Sequence, residues 1–401
     1  MPSEAKSGDP RAIKGADGRS PGLSTAFKEN CRKAISAGLF YSGTFRVMRR
    51  FEGSHEFYTC SGARLPRLRR SSASKFGILC YHRIGTEGVP LHSKLKPQAF
   101  EAQMRYLKTR YRIVPLGQMC HELLSGDQVP PTVAITFDDG YRDLYTHALP
   151  VLQKYGIPAT IYLIGRCMET GESPWYDSIF ASIGVAPGAS IEIETNGVHQ
   201  FSLSTSRSRL DAAWEIVCYL RSIPDTVRQR WCAEFSRLLP PPAEQLEERM
   251  LDWGQVRAMR RAGISFGAHT MNHPAVSRLE SAAYQDEFTS CKELLEGGLD
   301  GAVVDFAYPF GKLNDCGSAA QEFLVRAGYR SAVTTMEGFN SPGESPYLLR
   351  RLQISDEHAL PLFAFNLSRM FFEANEEQTI CWRSGMPHEP APAPKSAWRA
   401  P

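Results

Sequence analysis

The sequence predicts an α/β protein in which parallel strands are joined by right-handed helical crossovers. Short apolar segments with strand character alternate with helical segments between residues 76 and 356, and this alternation is typical of parallel sheets. Clusters of Asp and His follow directly after two of the strands, where barrels of this class carry their chemistry. Because about seven strands repeat within one domain, we expect the sheet to close into a barrel.

The individual elements are predicted from the spacing of apolar residues. Buried strands are expected at 77–82, 132–137, 159–164, 264–268, 303–307, 329–333 and 350–354. Helices are expected at 97–108, 141–155, 210–222, 282–295 and 318–327. Another helix can be capped by Asp252 and end at Gly263. The pattern is less regular after the third strand, which predicts a largely helical insertion at about 166–250.

Composition excludes several classes of protein. The chain has 401 residues, a net charge of +3, 42% apolar residues and 22% charged residues, as globular proteins do. The longest stretch without a charged residue, Ser178–Ile191, contains helix-breaking Gly and Pro and is shorter than the roughly 20 residues that cross a bilayer. The near-zero net charge argues against a nucleic-acid partner.

The two ends of the chain differ from its middle. Residues 1–75 contain 15 Lys and Arg against 6 Asp and Glu, and we interpret them as a basic, partly disordered extension. Within it, residues 28–51 can form a helix that either contacts an anionic membrane surface or docks on the main domain. We therefore divide the chain into this extension, a barrel at 76–357 and a C-terminal helix with a Pro/Ala-rich tail at 358–401, and residues 28–75 are the candidate membrane contact.

Cysteine usage bears on the compartment. The ten cysteines are scattered and none forms a CxxC pair, which favours reduced thiols. The first residues are polar and lack the apolar core of a secretory signal. We therefore expect a cytoplasmic protein, peripheral to the inner membrane if the basic extension binds it.

The first motif is Thr136-Phe137-Asp138-Asp139-Gly140. Adjacent Asp side chains point in different directions, so that one can bind a metal ion while the other remains free as a base. A helix N-cap followed by a first-turn acid is the alternative interpretation of this pair.

The second motif places His269 and His273 directly after another strand. Two His four residues apart can converge on one ion, although they can also be unrelated. If both motifs lie at the same end of a parallel barrel, two imidazoles and one carboxylate leave positions open for water and substrate. That arrangement is typical of a catalytic metal site.

The third motif is the aromatic turn Tyr308-Pro309-Phe310-Gly311. Its rings can line a groove and stack on a sugar, or they can simply pack the loop.

These three motifs, in this order and spacing, resemble the polysaccharide deacetylase family, carbohydrate esterase family 4, which shares the homology domain of nodulation-type chitooligosaccharide deacetylases. The resemblance covers roughly residues 76–356. It implies a distorted (β/α)7 barrel, a divalent metal that is usually Zn²⁺, and removal of acetyl groups from GlcNAc-type polymers. By position, it implies that Asp138 is the general base and that Asp139, His269 and His273 hold the metal. We expect the metal and a backbone N–H, with that of Tyr308 as the candidate, to hold the oxyanion.

The sequence departs from the family pattern at several positions. The Arg that usually orients the base is replaced by Ala307, and Arg351 or Arg350 on the last strand could take its place. No clear Leu-x-His supplies the general acid. His82, at the end of the first strand, is the better candidate, and His358 is the weaker one. His82 could also be a core histidine.

The sequence leaves several alternatives open. Trp175, at the start of the insertion with Tyr176 and Asp177, could line the substrate groove or pack the insertion. The barrel could bind glycan without turnover, or serve as a membrane-surface scaffold. As an enzyme, it could act on a small acetylated glycolipid or saccharide instead of a polysaccharide.

Overall fold

The computed structural model describes residues 76–86, 94–126, 129–194, 198–242, 249–317, 319–356 and 358–374, together with the backbone of three short strands, β1 (Phe57–Tyr58), β2 (Arg64–Leu65) and β3 (Leu68–Arg70). The predicted helix at 28–51 and the Pro/Ala-rich tail lie outside the described residues. The predicted domain boundaries stay predictions.

The main sheet is parallel and curled, as the sequence predicts. Its strands in chain order are β4 (Phe76–Tyr81), β5 (Arg112–Ile113), β6 (Thr132–Phe137), β7 (Thr160–Leu163), β10 (Ser265–Ala268), β11 (Asp305–Ala307), β12 (Ser331–Val333) and β13 (Leu352–Gln353). Their spatial order is β12-β11-β10-β7-β6-β4-β13, and β5 pairs with the start of β6. Every pair along this path is parallel.

The two ends of the sheet are brought together by the chain that precedes β13. Leu349 forms a parallel bridge with Val333 of β12, and the Thr334 N–H donates to the Leu349 carbonyl at 2.8 Å. The sheet therefore curls into a distorted barrel, and the carboxyl ends of its strands lie together at one end of that barrel.

Helices cover the outside of this sheet. They are α1 (Pro97–Arg110), α2 (Leu116–Ser125), α3 (Leu149–Tyr155), α8 (Trp253–Arg261), α9 (Cys291–Leu299), α10 (Leu313–Cys316), α11 (Ala320–Arg326) and α12 (Leu360–Phe371). The π-helical turns Leu144–Ala148 and Gln285–Ser290 lead into α3 and α9. Asp252 caps α8 as predicted, because its carboxylate accepts a hydrogen bond from the Gln255 N–H at 2.8 Å.

The insertion builds a second layer beside the barrel mouth. It contains helices α4 (Gly165–Thr170), α5 (Trp175–Val185), α6 (Ser206–Ser222) and α7 (Asp225–Leu238), and an antiparallel hairpin of β8 (Ser190–Glu194) and β9 (Val198–Ser202). It has its own apolar core, which includes Phe180, Ile216 and Phe235. The hairpin is the element that helical spacing did not predict.

The last strand, β14 (Phe372–Ala374), pairs with β3 in antiparallel orientation. No helix among the described residues is both long enough and apolar enough to span a membrane.

Candidate active site

Asp138 and Asp139 diverge because the chain turns sharply at the end of β6. Asp139 has a left-handed φ of 73° and Gly140 a φ of 81°. A Cβ on Gly140 would lie 2.6 Å from the Leu163 side chain, so that only glycine fits this turn. The Asp138 N–H donates to the Tyr81 carbonyl at 2.9 Å, which ties the turn to β4.

The histidine loop brings both imidazoles to Asp139. The Nε2 atoms of His269 and His273 each lie 3.6 Å from Asp139 Oδ1. The Nδ1 atom of His269 lies 2.7 Å from the Ala307 carbonyl, to which it must donate, so that the lone pair of Nε2 faces Asp139. The Nδ1 atom of His273 is buried and has no hydrogen-bond partner among the described residues.

A buried glutamate holds this loop in place. One carboxylate oxygen of Glu287 accepts from the N–H groups of Met271 and Asn272 at 2.9 and 3.0 Å, and the other accepts from the Asn272 side chain at 2.8 Å. Left-handed φ values of 62° at Thr270 and 54° at His273 show how tightly the loop is bent. Glu287 is a supporting residue that sequence reasoning missed, because it lies on a π-helical turn remote from any motif.

Asp139, His269 and His273 fit a divalent metal ion. Their ligand atoms lie within 4.8 Å of one another, and all three residues are buried. Burial lowers the pKa of both histidines, which keeps the imidazoles neutral, as metal binding requires. Burial and then the neighbouring Asp138 raise the pKa of the Asp139 carboxyl, a cost that a cation would offset. Two imidazoles and one carboxylate form the donor set of many catalytic metal sites.

Arg351 holds Asp138 through two parallel hydrogen bonds. Its Nη1 and Nη2 atoms each lie 2.7 Å from one oxygen of Asp138, and its Nε donates to the Thr334 carbonyl at 2.7 Å. Burial alone would raise the pKa of Asp138, but the charge and hydrogen bonds of Arg351 hold it well below its usual range. Of the two candidate replacements for the arginine missing at Ala307, Arg351 is therefore the one that contacts Asp138, whereas Arg350 is exposed.

Two more side chains approach Asp138: Cys80 lies on β4, and His82 follows the end of that strand. His82 Nε2 lies 3.9 Å from Asp138 Oδ2, and the His82 side chain is 36% exposed. His82 therefore lies at the open side of the pair and is not a core histidine. The Cys80 thiol donates to the same oxygen at 3.4 Å, a contact that sequence reasoning missed. His358 instead contacts Ser355 and Asn366.

The aromatic turn contributes one ring to the site, not two. Phe310 is half-buried, and its ring centroid lies 5.0 Å from that of His273. Pro309 is buried. The prediction that Tyr308 binds substrate is wrong, because its side chain is fully buried against Phe306 in the core. Its N–H donates to the Val333 carbonyl at 3.1 Å, so that it cannot serve an oxyanion either.

Trp175 lies beside the histidine loop. Its Nε1 atom donates to the His273 carbonyl at 3.2 Å, and the Arg228 guanidinium lies 4.8 Å from the ring centroid. Trp175, Arg228 and His273 line a cleft of about 360 Å³ between the barrel and the insertion helix α7. The other residues that line this cleft on α7 are Gln229, Cys232, Ala233 and Ser236.

Comparisons with known proteins agree with this geometry. The model of the polysaccharide deacetylase family matches residues 125–331, just over half of the chain. YxkH of Bacillus subtilis (strain 168), which carries the name of a polysaccharide deacetylase, is 26% identical over 290 residues, 72% of this chain and 74% of YxkH. The poly-beta-1,6-N-acetyl-D-glucosamine N-deacetylase of Escherichia coli (strain K12) is 28% identical over 98 residues, which are 24% of this chain and 15% of that protein.

A solved structure extends the comparison to the fold. The Streptococcus pyogenes deacetylase PplD, in complex with acetate, superposes with a TM-score of 0.51 and 21% identity, covering 75% of this chain and 99% of that one. This likeness concerns the curled parallel sheet and its surrounding helices. The family match, which spans the DDG and HxxxH loops, shows that the chain belongs to the polysaccharide deacetylase family.

Proposed function

We propose that this protein is a metal-dependent hydrolase that removes N-acetyl groups from a GlcNAc-containing polysaccharide or oligosaccharide and releases acetate. One observation carries the proposal: a carboxylate kept ionised by Arg351 lies next to a carboxylate that faces two neutral imidazoles. The names of YxkH and of the E. coli relative support the substrate class, as does the acetate complex of PplD.

Asp139, His269 and His273 are the residues that would hold the ion, and Zn²⁺ is the first candidate for this donor set. When bound, such an ion supplies Lewis acidity, which polarises an acetyl carbonyl and acidifies a water molecule. The protein supplies the positions: the Ala307 carbonyl orients His269, and Glu287 orients the loop that carries His273.

Asp138 is the proposed general base. Each of its oxygens accepts one hydrogen bond from Arg351. Oδ2 also accepts one from the Cys80 thiol, so that Oδ1 keeps a second lone pair for another donor. The carboxylate can therefore accept a proton from the attacking water without leaving Arg351. Arg351 acts through Asp138 and is a positioning residue.

His82 is the proposed general acid. Its Nε2 lies close to Asp138 and its side chain reaches the open side of the site. Water adds across the amide carbonyl, the C–N bond breaks, and the leaving sugar nitrogen takes a proton from His82. The products are acetate and a free amino sugar. We further propose that neighbouring sugars of the glycan lie along the cleft beside Trp175, with Phe310 as the adjacent wall.

Acetate release tests this function. The purified protein, reconstituted with Zn²⁺, is incubated with N-acetylated chitooligosaccharides, poly-β-1,6-GlcNAc, an O-acetylated polysaccharide and an N-acetylated glycolipid. We expect acetate and free amine from one or both GlcNAc substrates, and release that is slower by about 10²–10⁴-fold with Asp138→Asn. Acetate from the O-acetylated substrate alone would contradict the N-acetyl assignment, and binding without acetate would favour a glycan-binding barrel.

A further inference from the structure

A second set of metal-ligating side chains surrounds Asp138. The Cys80 thiol donates to Asp138 Oδ2 at 3.4 Å, and His82 Nε2 lies 3.9 Å from the same oxygen. One ligand atom from each of the three residues lies within 4.8 Å of the other two. A sulfur, a nitrogen and an oxygen atom thus come together at a place separate from the candidate site around Asp139.

The spacing of these atoms suits a tetrahedral ion such as Zn²⁺. Zn–S bonds of about 2.3 Å and Zn–N or Zn–O bonds of about 2.0–2.2 Å place two tetrahedral ligands roughly 3.4–3.6 Å apart. The distance of 3.4 Å from Cys80 Sγ to Asp138 Oδ2 already lies in this range. The His82 side chain is 36% exposed, so that its ring has room to move closer to Asp138.

An ion at this place replaces the thiol proton. Asp138 Oδ2 accepts from Arg351 Nη2 at 2.7 Å and from the Cys80 thiol, which uses both lone pairs of this oxygen. When the thiol proton leaves to solvent, the thiolate and the lone pair that accepted the proton both become ligands. Because binding must expel this proton and Arg351 keeps a positive charge beside the ion, we expect a weaker site than that around Asp139.

We propose that Cys80, His82 and Asp138 form an inhibitory site for a second, thiophilic divalent cation, Zn²⁺ or Cd²⁺. The sulfur ligand favours such cations over Mg²⁺ and Ca²⁺. The ion ligates the proposed general base and the proposed general acid at once, and neither group can then transfer a proton. Binding rests on the three side chains alone, whereas inhibition rests on the proposed function. The site also limits how far added Zn²⁺ can restore a variant weakened at Asp139.

The sulfur ligand makes this site visible by spectroscopy. The site around Asp139 offers only nitrogen and oxygen donors, so that a thiolate-to-cobalt charge-transfer band reports a cysteine ligand. Co²⁺ is titrated into the metal-free full-length protein, and equilibrium dialysis counts the bound ions. Cys80→Ser keeps a hydroxyl beside Asp138 and removes the sulfur. Cys120→Ser is the matched control, because Cys120 is another buried free thiol and belongs to neither set of candidate ligands.

We expect the parental protein and Cys120→Ser to bind a second Co²⁺, with a charge-transfer band that grows only after the first equivalent. Cys80→Ser should lose the band and bind the second ion at least about tenfold more weakly, since even outer partners of metal ligands have effects of this size. A parental protein without the band, or a band that survives in Cys80→Ser, would overturn the inference. If Cys80→Ser does not fold, His82→Gln, at a partly exposed position, must weaken the second ion instead.

Acetate release then tests the inhibition. Zn²⁺ is added beyond one equivalent, and the rate of each protein is divided by its own rate at one equivalent. This ratio should fall by about 10²-fold or more at saturation in the parental protein and Cys120→Ser, because a general base is worth that much, and stay near unity in Cys80→Ser. A rise of the ratio would make the second ion co-catalytic and overturn the inhibitory assignment. A protein that never releases acetate would contradict the proposed function, and the second site would still stand or fall on the charge-transfer band.

Discussion

Asp138 and Asp139 are neighbours in sequence, yet their surroundings give them different tasks. Asp138 is paired with Arg351, whereas Asp139 faces two imidazoles. Asp138→Asn keeps the size of the side chain and removes the proton acceptor, so that we expect Zn²⁺ to stay bound and turnover to fall by about 10²–10⁴. Asp139→Asn removes a charged ligand, so that affinity and turnover should fall together. Metal content and acetate release at rising Zn²⁺ concentration measure both effects.

Excess Zn²⁺ should partly restore Asp139→Asn and do nothing for Asp138→Asn. The reverse pattern would mean that the two roles are exchanged.

Arg351 and Arg350 form a natural pair for a stability experiment. Arg351 is fully buried on Asp138, and Arg350 points to solvent. Arg351→Met leaves the buried carboxylate without its counter-ion, which should lower the free energy of unfolding by about 3–5 kcal/mol. Arg350→Met should change it by less than about 0.5 kcal/mol. Urea denaturation measures both, and similar losses in the two variants would contradict the buried pair as the cause.

For single residues, the spacing of motif residues that are close in sequence predicts the candidate site. Contacts between residues distant in sequence are predicted only in part. The DDG and HxxxH loops meet because they follow β6 and β10, parallel strands of one curled sheet that β7 separates, and the sequence pattern indicates that both strands belong to one parallel sheet. The sequence alone does not decide between Arg350 and Arg351 as the replacement for the missing arginine, because adjacent residues of a strand point to opposite faces of the sheet. The contacts of Glu287 and Cys80 could not be predicted, because their partners are set by tertiary packing.

The insertion helix α7 offers a test of where the glycan lies. Ala233 is exposed at the cleft, whereas Leu238, on the other side of the same helix, does not line it and is 67% exposed. Ala233→Trp should fill the cleft and raise KM for a long GlcNAc polymer by about tenfold, or ~1.4 kcal/mol. Leu238→Trp should leave KM unchanged.

Steady-state acetate release from a polymer and from a single N-acetylated sugar measures this effect. The single sugar needs no cleft, so that its kcat/KM should be the same in both variants. An equal change for polymer and single sugar would show that Ala233→Trp disturbs the metal site instead of a sugar subsite.

Most strands and helices of the barrel were predictable because they carry a complete local signal. The strand at 132–137 consists of β-branched and other apolar residues and is buried along its whole length, and α8 has both its cap at Asp252 and its apolar face. The β8–β9 hairpin carries alternating polar residues, Glu192 and Gln200 among them, on an exposed ribbon. These residues form strands because β8 and β9 pair with each other, and the amino-acid composition of the segment does not reveal this pairing. The short helix α2, with no capping side chain, was also missed.

At the scale of the whole molecule, a truncation can test whether the basic extension is needed for turnover at the candidate site. The described residues of the candidate site all lie between positions 80 and 351. A chain lacking residues 1–56 keeps strands β1 to β3, and we expect it to retain the acetate-releasing turnover of the full chain. A membrane-surface scaffold would instead lose its only activity, which in that case is vesicle binding. Loss of turnover in the truncated chain would tie the extension to catalysis.

The compartment is a separate proposal. The seven described cysteines are free thiols, and the N-terminal region is strongly basic. We propose a reduced, cytoplasmic protein with peripheral attachment to the inner membrane. Cell fractionation with alkylation of thiols under denaturing conditions should find it in the cytosolic and salt-extractable membrane fractions with all ten cysteines reactive. Secreted or disulfide-bonded protein would contradict this.

The left-handed backbone at Asp139 and His273 has an evolutionary consequence. An L-residue in this conformation costs about 1–3 kcal/mol, which glycine and, in part, asparagine avoid. A single replacement of either residue by Gly or Asn therefore relieves the backbone strain and at the same time removes one of the three candidate metal ligands. A lineage released from selection for turnover would gain folding stability from its first inactivating change. Such descendants should persist as well-folded, inert barrels, recognisable by Gly or Asn at these two positions.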